Sequence, residues 1–353
     1  MINLELGREQ VFWNGSWLLA FAIALMLSHY LSRPTSCLCI LDRPNDRSLH
    51  LQPIPRTGGL AILVGGLAGS SILSSVFPLA ADVHPATLLL GLVPLVGISF
   101  LDDRRSIPVK WRILAHGWAA FSIACANYMP DTLDLPGFTC HLPAWVTILL
   151  VLLFVVWMIN LYNFMDGMDG FAGGMATIGF SALAWLGWAN AGFAAFCLIV
   201  AAASAGFLVH NFPPAKIFLG DTGSTALGFL AAAFSLWGAK EGLFPFWVAL
   251  LVFSPFIVDA TVTLLRRLLR GEKVWEAHRS HYYQRLVLLG WGHRRTVLTE
   301  YALMLACAGS ALLAVRLPPV GQISLAMAWG LIYGFLMWGV GRLERRRATV
   351  SAP

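Results

Sequence analysis

Two adjacent carboxylates, Asp102 and Asp103, stand at the end of an apolar segment that is long enough to cross a membrane. Neighbouring acids at such a boundary are costly unless they bind a cation or activate a reacting group. The alternative is a pair of solvated loop acids that Arg104 and Arg105 neutralise. The pair alone does not decide between these interpretations, so the other polar groups of the chain become decisive.

A second polar group closes another apolar segment, with an amide or a carboxylate at every third position: Asn160, Asn163, Asp166 and Asp169. At this spacing successive side chains lie near one another on a slowly rotating helix face. Glycines among them let the backbone approach a ligand closely. A helix cap accounts for one such residue but not for four. The pattern therefore favours a site for a base, a ribose or a metal ion.

The third group is the turn Gly-Asp-Thr-Gly-Ser at residues 220–224, which leads into an apolar helix. Free N–H groups at a helix start bind phosphate oxygens, and Asp221 offers a carboxylate to Mg²⁺. An ordinary Asp or Thr N-cap gives the same letters, so the turn by itself is a weak signal.

The fourth group, His278-Arg279-Ser280-His281, lies in the longest and most basic loop. Clustered Arg and His side chains suit a diphosphate, whereas a loop that is merely basic needs no histidines. An earlier loop, residues 42–59, adds Arg56 ahead of a glycine pair. We interpret the isolated histidines as boundary or packing residues: His29, His84, His116, His141 and His293.

The composition is that of a membrane protein. The 353 residues are 58% hydrophobic and only 12% charged, with a mean hydropathy of +0.71. Soluble domains carry about 25% charged residues. The net charge of +6 resides in short loops between apolar segments, which is typical of loops beside anionic lipid and not of a nucleic-acid partner. The six scattered cysteines indicate neither a disulfide framework nor a zinc site.

Apolar segments of about 20 residues predict spanning helices. Eleven are found, at 11–31, 58–80, 85–101, 111–128, 144–163, 171–189, 191–210, 223–239, 243–265, 298–315 and 320–341. They predict an all-α fold, a polytopic transmembrane helix bundle that forms a single domain over residues 1–353, with any strands minor. The segment 11–31 lacks a small-residue cleavage site and is interpreted as a retained helix.

Charge orients this bundle. If the N-terminus lies outside, all Lys and Arg residues except Arg8, Lys240 and Arg316 fall inside, which supports an odd number of spans and a cytoplasmic C-terminus. The polar stretches 42–59, 102–112, 160–174, 211–224 and 266–297 then lie on the same cytoplasmic face. Their convergence predicts one active site at the water boundary.

The ordered set of motifs, from about Asp42 to Arg285, resembles the polyprenyl-phosphate N-acetylhexosamine-1-phosphate transferases of glycosyltransferase family 4. The resemblance implies catalytic roles for Asp102, Asp103, Asp221 and His281, with Asp221 and Asp102 holding Mg²⁺, or Mn²⁺ in its place. It also implies substrate binding by a larger set of residues: Arg56, Lys110, Asn160, Asn163, Asp166, Asp169, Asn211, Phe218 and Arg279.

One motif departs from the family. Members often carry three histidines in the last loop, whereas this chain has His281-Tyr282-Tyr283-Gln284. The difference argues against a muramoyl-pentapeptide nucleotide and favours the branch that initiates O-antigen synthesis, in which the sugar varies.

The resemblance implies transfer of a sugar-1-phosphate from a UDP-N-acetylhexosamine to undecaprenyl phosphate, with release of UMP. We expect the protein in the bacterial inner membrane, with membrane lipid as a partner and a homodimer left open. A polytopic transporter or flippase is the alternative, for which Asp259 is the one deeply placed acid. A CDP-alcohol phosphotransferase motif fails after Asp166-Gly167.

Overall fold

The computed structural model describes residues 2–44, 49, 52–76, 85–126, 128–130, 132–274, 276 and 278–350. In these residues the chain forms the helices α1 Ile2–Leu31, α2 Gly58–Val76, α3 Pro85–Arg104, α4 Val109–Cys125, α5 Ala144–Met165, α6 Phe171–Leu186, α7 Ala191–Asn211, α8 Gly220–Lys240, α9 Phe246–Val252, α10 Ser254–Leu269, α11 Tyr282–Leu286, α12 Gly292–Ala314 and α13 Pro319–Val350. A π-helical turn, Val287–Trp291, joins α11 to α12.

The strands are minor, as the sequence predicts. Two antiparallel pairs are present among the described residues, β1 Leu41–Asp42 with β2 Ile54–Pro55 and β3 Leu133–Leu135 with β4 Phe138–Cys140. The all-α fold class is therefore confirmed. Some predictions fall partly outside the described residues: the loop 42–59, the spans 58–80 and 111–128, the loop 266–297, and also His84.

Several helices have the length and composition of membrane spans. Four helical segments in the described part of the chain qualify, namely Ala144–Met165, Ala191–Asn211, Tyr282–Ala314 and Pro319–Arg347. Each of the eleven predicted spans overlaps a helix. The structure thus agrees with a polytopic membrane protein, while the number of eleven spans and their orientation stay predictions.

The ninth predicted span, residues 243–265, is not one straight helix. It is divided at Phe253 into α9 and α10, whose axes are bent by 81°. Pro255 stands in the first turn of α10, a position that proline favours because it has no N–H to donate there. The bend turns α10 away from the direction of α9.

Helix α8 occupies the centre of the bundle. It is rich in Gly and Ala, is buried along nearly its whole length and packs against α2, α3 and α5. Small side chains permit close helix approach. A Cβ atom on Gly59 would lie 2.3 Å from the Gly223 nitrogen. The starts of α2 and α8 therefore approach this closely only because both positions are glycine. This packing fixes the turn at residues 220–224 against the ends of the neighbouring helices.

Candidate active site

The carboxylate of Asp103, at the end of α3, is buried against the first turn of α8. Its Oδ2 accepts hydrogen bonds from the Thr222 N–H at 2.9 Å and the Thr222 hydroxyl at 2.6 Å. Its Oδ1 accepts from the Asp221 N–H at 3.1 Å. An acid from another helix thus caps α8 and complements the positive end of its dipole. Asp103 thereby sets the position of Asp221.

Arg56 connects the loop 42–59 to the same acid. Its Nε lies 3.8 Å from Asp103 Oδ1, its Nη1 lies 3.8 Å from Asp42 Oδ1, and its Nη2 donates to the Asp103 carbonyl oxygen. The backbone of Gly220, at the start of α8, lies against the backbone of Arg56. Its φ is +75°, and a Cβ atom there would lie 2.4 Å from the Arg56 carbonyl oxygen. Only glycine fits this turn.

Asp102 has different partners from its neighbour. Its Oδ1 accepts from the Ile107 N–H at 2.9 Å, and its Oδ2 accepts from Arg112 Nη1 at 3.1 Å. The two adjacent carboxylates are therefore used separately, one for the start of α8 and one for the α3–α4 loop and an arginine. The sequence pattern did not single out Arg112 as a site residue.

Asn163 and Asp221, which are 58 positions apart in the chain, are joined by a hydrogen bond. Asn163 Nδ2 donates to Asp221 Oδ1 at 2.9 Å and to Ser224 Oγ at 3.1 Å. One turn earlier in α5, Asn160 Nδ2 donates to the Val156 carbonyl oxygen at 2.7 Å and lies 3.2 Å from His116 Nδ1. The amides of α5 thus form a row that leads to Asp221.

A cavity of about 240 Å³ opens beside this row, between α3, α4, α5 and α8. Its polar residues include an acid, two amides, an arginine and a histidine, whereas its other walls are mostly apolar: Ser99, Val109, Arg112, Ile113, His116, Gly117, Val156, Asn160, Asn163, Phe164, Asp221 and Thr225. A polar end joined to an apolar wall suits an amphiphilic ligand. His116, which we interpreted as a packing residue, lies in this wall.

The surroundings of Asp166 show that the site is strongly negative. Burial and then the carboxylates of Asp221, Asp103 and Asp42 raise the pKa of Asp166 well above its usual value, and the Gly220 N–H opposes this rise. Crowded carboxylates disfavour one another's ionisation, and a divalent cation would relieve their repulsion.

The donor set fits a hard cation, although the described residues contain no cluster of three or more His, Cys, Asp or Glu side chains already arranged around a metal position. Mg²⁺ prefers a few carboxylate oxygens and retains several waters. Asp221 accepts from Asn163 through one carboxylate oxygen, Oδ1. The carboxylate of Asp166 is near enough for its charge to interact with that of Asp221, so the two acids together offer such oxygens. Asp102, the second predicted metal ligand, is paired with Arg112 in this structure.

Two predicted substrate-binding residues make contacts within the protein. Asp169 accepts from the Ala215 N–H at 3.0 Å and lies 3.0 Å from His293 Nδ1. Asn211 accepts from the Gly170 N–H at 2.9 Å and donates to the Ile217 carbonyl oxygen at 2.9 Å. Both side chains are buried and fix the segment before α8 to the start of α6. Their predicted contact with substrate remains a prediction.

The remaining predicted binding residues are more open. Phe218 is half-buried, and its backbone bonds to Pro55 and Gly58. Lys110 is exposed, with Nζ 5.6 Å from the ring centre of Trp111. Arg279 is half-buried and lines a second, more basic cavity rather than the one beside Asp221.

His281 is buried at the start of α11, with Nδ1 3.4 Å from Asp259 Oδ1. Asp259 also accepts from the N–H groups of Tyr282 and Tyr283, at 2.9 and 3.1 Å. The ring of Phe164, which lines the Asp221 cavity, lies 6.3 Å from the His281 ring. His281 is thus held next to that cavity by an acid which sequence reasoning assigned no site role. The signal in the sequence that could have indicated this role is that Asp259 is an isolated acid in an apolar segment.

Comparison with known proteins identifies the family of this chain. The family described as glycosyl transferase family 4 matches residues 85–239. A decaprenyl-phosphate N-acetylglucosaminephosphotransferase of Mycobacterium tuberculosis is 31% identical over 293 residues, which are 73% of this chain and 71% of the relative. The chain belongs to this family of polyprenyl-phosphate hexosamine-1-phosphate transferases.

Two further relatives carry different substrate names. A probable undecaprenyl-phosphate N-acetylglucosaminyl 1-phosphate transferase of Bacillus subtilis is 29% identical over 291 residues, covering 81% of this chain and 80% of the relative. A phospho-N-acetylmuramoyl-pentapeptide-transferase of Geobacillus kaustophilus is 31% identical over 265 residues, covering 70% and 79%. The glycosyl transferase family 4 match includes Asp102, Asp103, Asn163 and Asp221 but ends before the basic loop.

Replacing Asp103 with alanine should lower the stability of this glycosyltransferase by about 2 kcal/mol, because the start of α8 loses its cap and buried N–H groups lose their acceptor. The measurement is thermal unfolding in detergent. Asp221→Ala is the matched variant, and its midpoint should stay close to that of the wild type because the Asp221 side chain caps no helix. Equal midpoints for the two variants would contradict the capping role.

Replacing Asp259 with alanine should loosen the segment before α11, since the N–H groups of Tyr282 and Tyr283 lose their acceptor. We expect trypsin to cleave within residues 266–285 about tenfold faster, as local opening becomes easier. Asp134→Ala, in the β3–β4 hairpin, is the control. An unchanged cleavage rate in Asp259→Ala would show that Asp259 does not hold the loop.

Proposed function

We propose that this chain transfers an N-acetylhexosamine-1-phosphate from a UDP-sugar to undecaprenyl phosphate and releases UMP, at the cytoplasmic face of the bacterial plasma membrane. The observation that carries the proposal is the cavity in which Asp221 and the amides of α5 face an apolar wall. One substrate is soluble and the other is a lipid, so the reaction requires a site at the boundary between water and membrane. The names of the relatives support the same reaction class.

In the reaction, a phosphate oxygen of the lipid attacks the β-phosphorus of the UDP-sugar. A new oxygen–phosphorus bond forms, the bond from the β-phosphorus to the bridging oxygen breaks, and UMP leaves. A phosphomonoester has its second pKa at about 6, so the nucleophile is mostly dianionic at neutral pH. Positioning and electrostatic stabilisation therefore matter more than a general base.

Mg²⁺, with Mn²⁺ as the alternative, would be held by Asp221 together with Asp166, and by Asp102 if its pair with Arg112 opens. When bound, the cation would neutralise charge on the diphosphate. Asp103 would act by fixing the start of α8, where N–H groups also favour phosphate oxygens. The fold would thus fix the positions of the carboxylates that hold the cation.

The remaining residues would bind the substrates. We assign the phosphates to Lys110, Arg279 and His281, and the uridine to Phe218 and Asn163. The apolar wall formed by Ile113, Val156 and Phe164 would contact the first isoprenoid units of the acceptor. Asp169 and Asn211 would act on the nucleotide indirectly, by fixing the segment before α8. Asn160 would act through His116 and Arg56 through Asp103, which are their neighbours in the site.

The sugar that we propose is N-acetylglucosamine or a 6-deoxy sugar such as FucNAc or QuiNAc, and the product would initiate O-antigen or another envelope polysaccharide. The support is the departure at His281-Tyr282-Tyr283-Gln284 and the relatives named for N-acetylglucosamine. The transporter alternative depended on Asp259, whose carboxylate has a structural use at the start of α11.

The direct test is UMP release by the purified protein, given undecaprenyl phosphate, Mg²⁺ and a panel of UDP-N-acetylhexosamines. We expect UMP from one sugar nucleotide only when both lipid and Mg²⁺ are present, and removal of the cation with EDTA should stop the release. A folded protein that binds no UDP-sugar and releases no UMP from any of them would contradict the proposal.

Asp221→Ala should lower the rate of UMP release at least about a hundredfold, as expected when a group that stabilises charge in the transition state is lost. Glu241→Ala removes an exposed acid at the other end of α8 and should keep the wild-type rate. Wild-type turnover in Asp221→Ala would overturn the assignment of Asp221 to the reaction.

A further inference from the structure

A second cavity, of about 320 Å³, lies at the end of α10 and is distinct from the one beside Asp221. Its lining contains five arginines and two glutamates: Thr263, Arg266, Arg267, Arg270, Glu272, Arg279, Ser280, Arg285, Leu288, Leu289 and Glu344. The wall comes from α10, the loop before α11, α11 itself, the π-helical turn and α13. The excess of positive charge indicates that the cavity attracts an anion.

Two of the arginines are occupied within the protein. Arg267 is buried, its Nε lies 2.8 Å from Glu272 Oε2, and it also donates to two carbonyl oxygens of the following loop. Arg285 forms a bidentate pair with Glu344, at 2.7 and 2.6 Å. These pairs use both glutamates of the wall in direct contacts, so Arg266 and Arg270 interact with them only through longer-range electrostatics, and the five arginines outnumber the two carboxylates.

Of the other three, Arg279 is assigned to the substrate phosphates in the proposed function. The guanidinium groups of Arg266 and Arg270 make no hydrogen bond or ion pair with any described residue. Arg guanidinium groups bind phosphate oxygens through strong charge-assisted hydrogen bonds. Ser280, in the same wall, adds a hydroxyl. The unused donors of this cavity therefore match a phosphate group.

The position of α10 indicates where that phosphate comes from. Leu265, Leu268 and Leu269 are 51%, 59% and 87% exposed, and their spacing places them on one side of the helix. Arg266 and Arg270 are four residues apart and follow the edge of this apolar side. A helix with exposed leucines beside arginines is typical of the membrane interface, where the apolar side enters lipid and the charges reach the headgroups.

We propose that this cavity binds the headgroup of an anionic phospholipid, with the phosphate between Arg266 and Arg270 and the acyl chains along the exposed leucines of α10. Leu288, which is 48% exposed, continues the apolar surface at the cavity wall. The proposal rests on the cytoplasmic placement of this loop in the proposed function. A soluble phosphate would use the arginines but would gain nothing from the leucines. Because Arg279 shares the wall, the lipid lies next to the loop that carries His281.

The test measures lipid binding without turnover. Purified protein in detergent receives phosphatidylglycerol or phosphatidylcholine, and native mass spectrometry and the thermal midpoint report binding. We expect retention of phosphatidylglycerol and a rise in midpoint that phosphatidylcholine does not give. Arg266→Gln/Arg270→Gln should bind phosphatidylglycerol about tenfold more weakly, given the contribution of each basic residue at an anionic surface. Arg104→Gln/Arg105→Gln removes the same charge outside the cavity and should bind it as the wild type does.

A third variant guards against misfolding. Arg266→Lys/Arg270→Lys keeps the charge and should regain most of the binding lost in the glutamine variant. Equal binding of both lipids by the wild type, or full binding by the glutamine variant, would overturn the inference. Displacement of phosphatidylglycerol by inorganic phosphate would assign the cavity to a soluble anion, and displacement by UDP would assign it to the substrate site. UMP release is measured separately, so failure of the lipid site and failure of the proposed reaction remain distinguishable.

Discussion

The site depends on one buried interaction, the carboxylate of Asp103 against the first turn of α8. A helix start presents N–H groups that have no partner within the helix, and a buried carboxylate needs hydrogen bonds to be tolerated. Each group satisfies the other at this junction. Because α8 is the central helix, its first turn carries Asp221 to the meeting point of α3 and α5. Loss of this contact would release Asp221 and the helix start together.

Electrostatics divides the polar residues between two cavities. The acids gather around the start of α8, where helix N–H groups and Arg56 offset part of their repulsion. The unpaired arginines gather at the end of α10, beside exposed leucines. A negative site and a positive site would neutralise each other if they were in contact. Their separation would keep the carboxylates available for the proposed Mg²⁺ and the arginines available for the proposed phosphate group.

Sequence reasoning went furthest where the signal is local. Apolar length predicted the helices, and the spacing of amides and acids singled out Asn163, but the hydrogen bond from Asn163 to Asp221 is seen only in the structure. It could not show that Asp102 and Asp103, which are neighbours in the chain, have unrelated partners. Nor could it show that Asp259 holds the N–H groups of Tyr282 and Tyr283, since such contacts exist only once distant segments are packed. Arg112 and His116 were missed for the same reason, because their types fit a basic loop or a packed helix equally well.

The 81° bend between α9 and α10 explains why an acid in an apolar segment is tolerated. A straight span of residues 243–265 would leave Asp259 among apolar side chains, at a large desolvation cost. With α10 turned aside, the start of α11 packs against Asp259 and supplies the N–H donors that its carboxylate needs. The same turn brings the exposed leucines and the arginines of α10 to one edge of the bundle. One break in a helix therefore accounts for the position of His281 next to the cavity beside Asp221 and for the basic cavity at the end of α10.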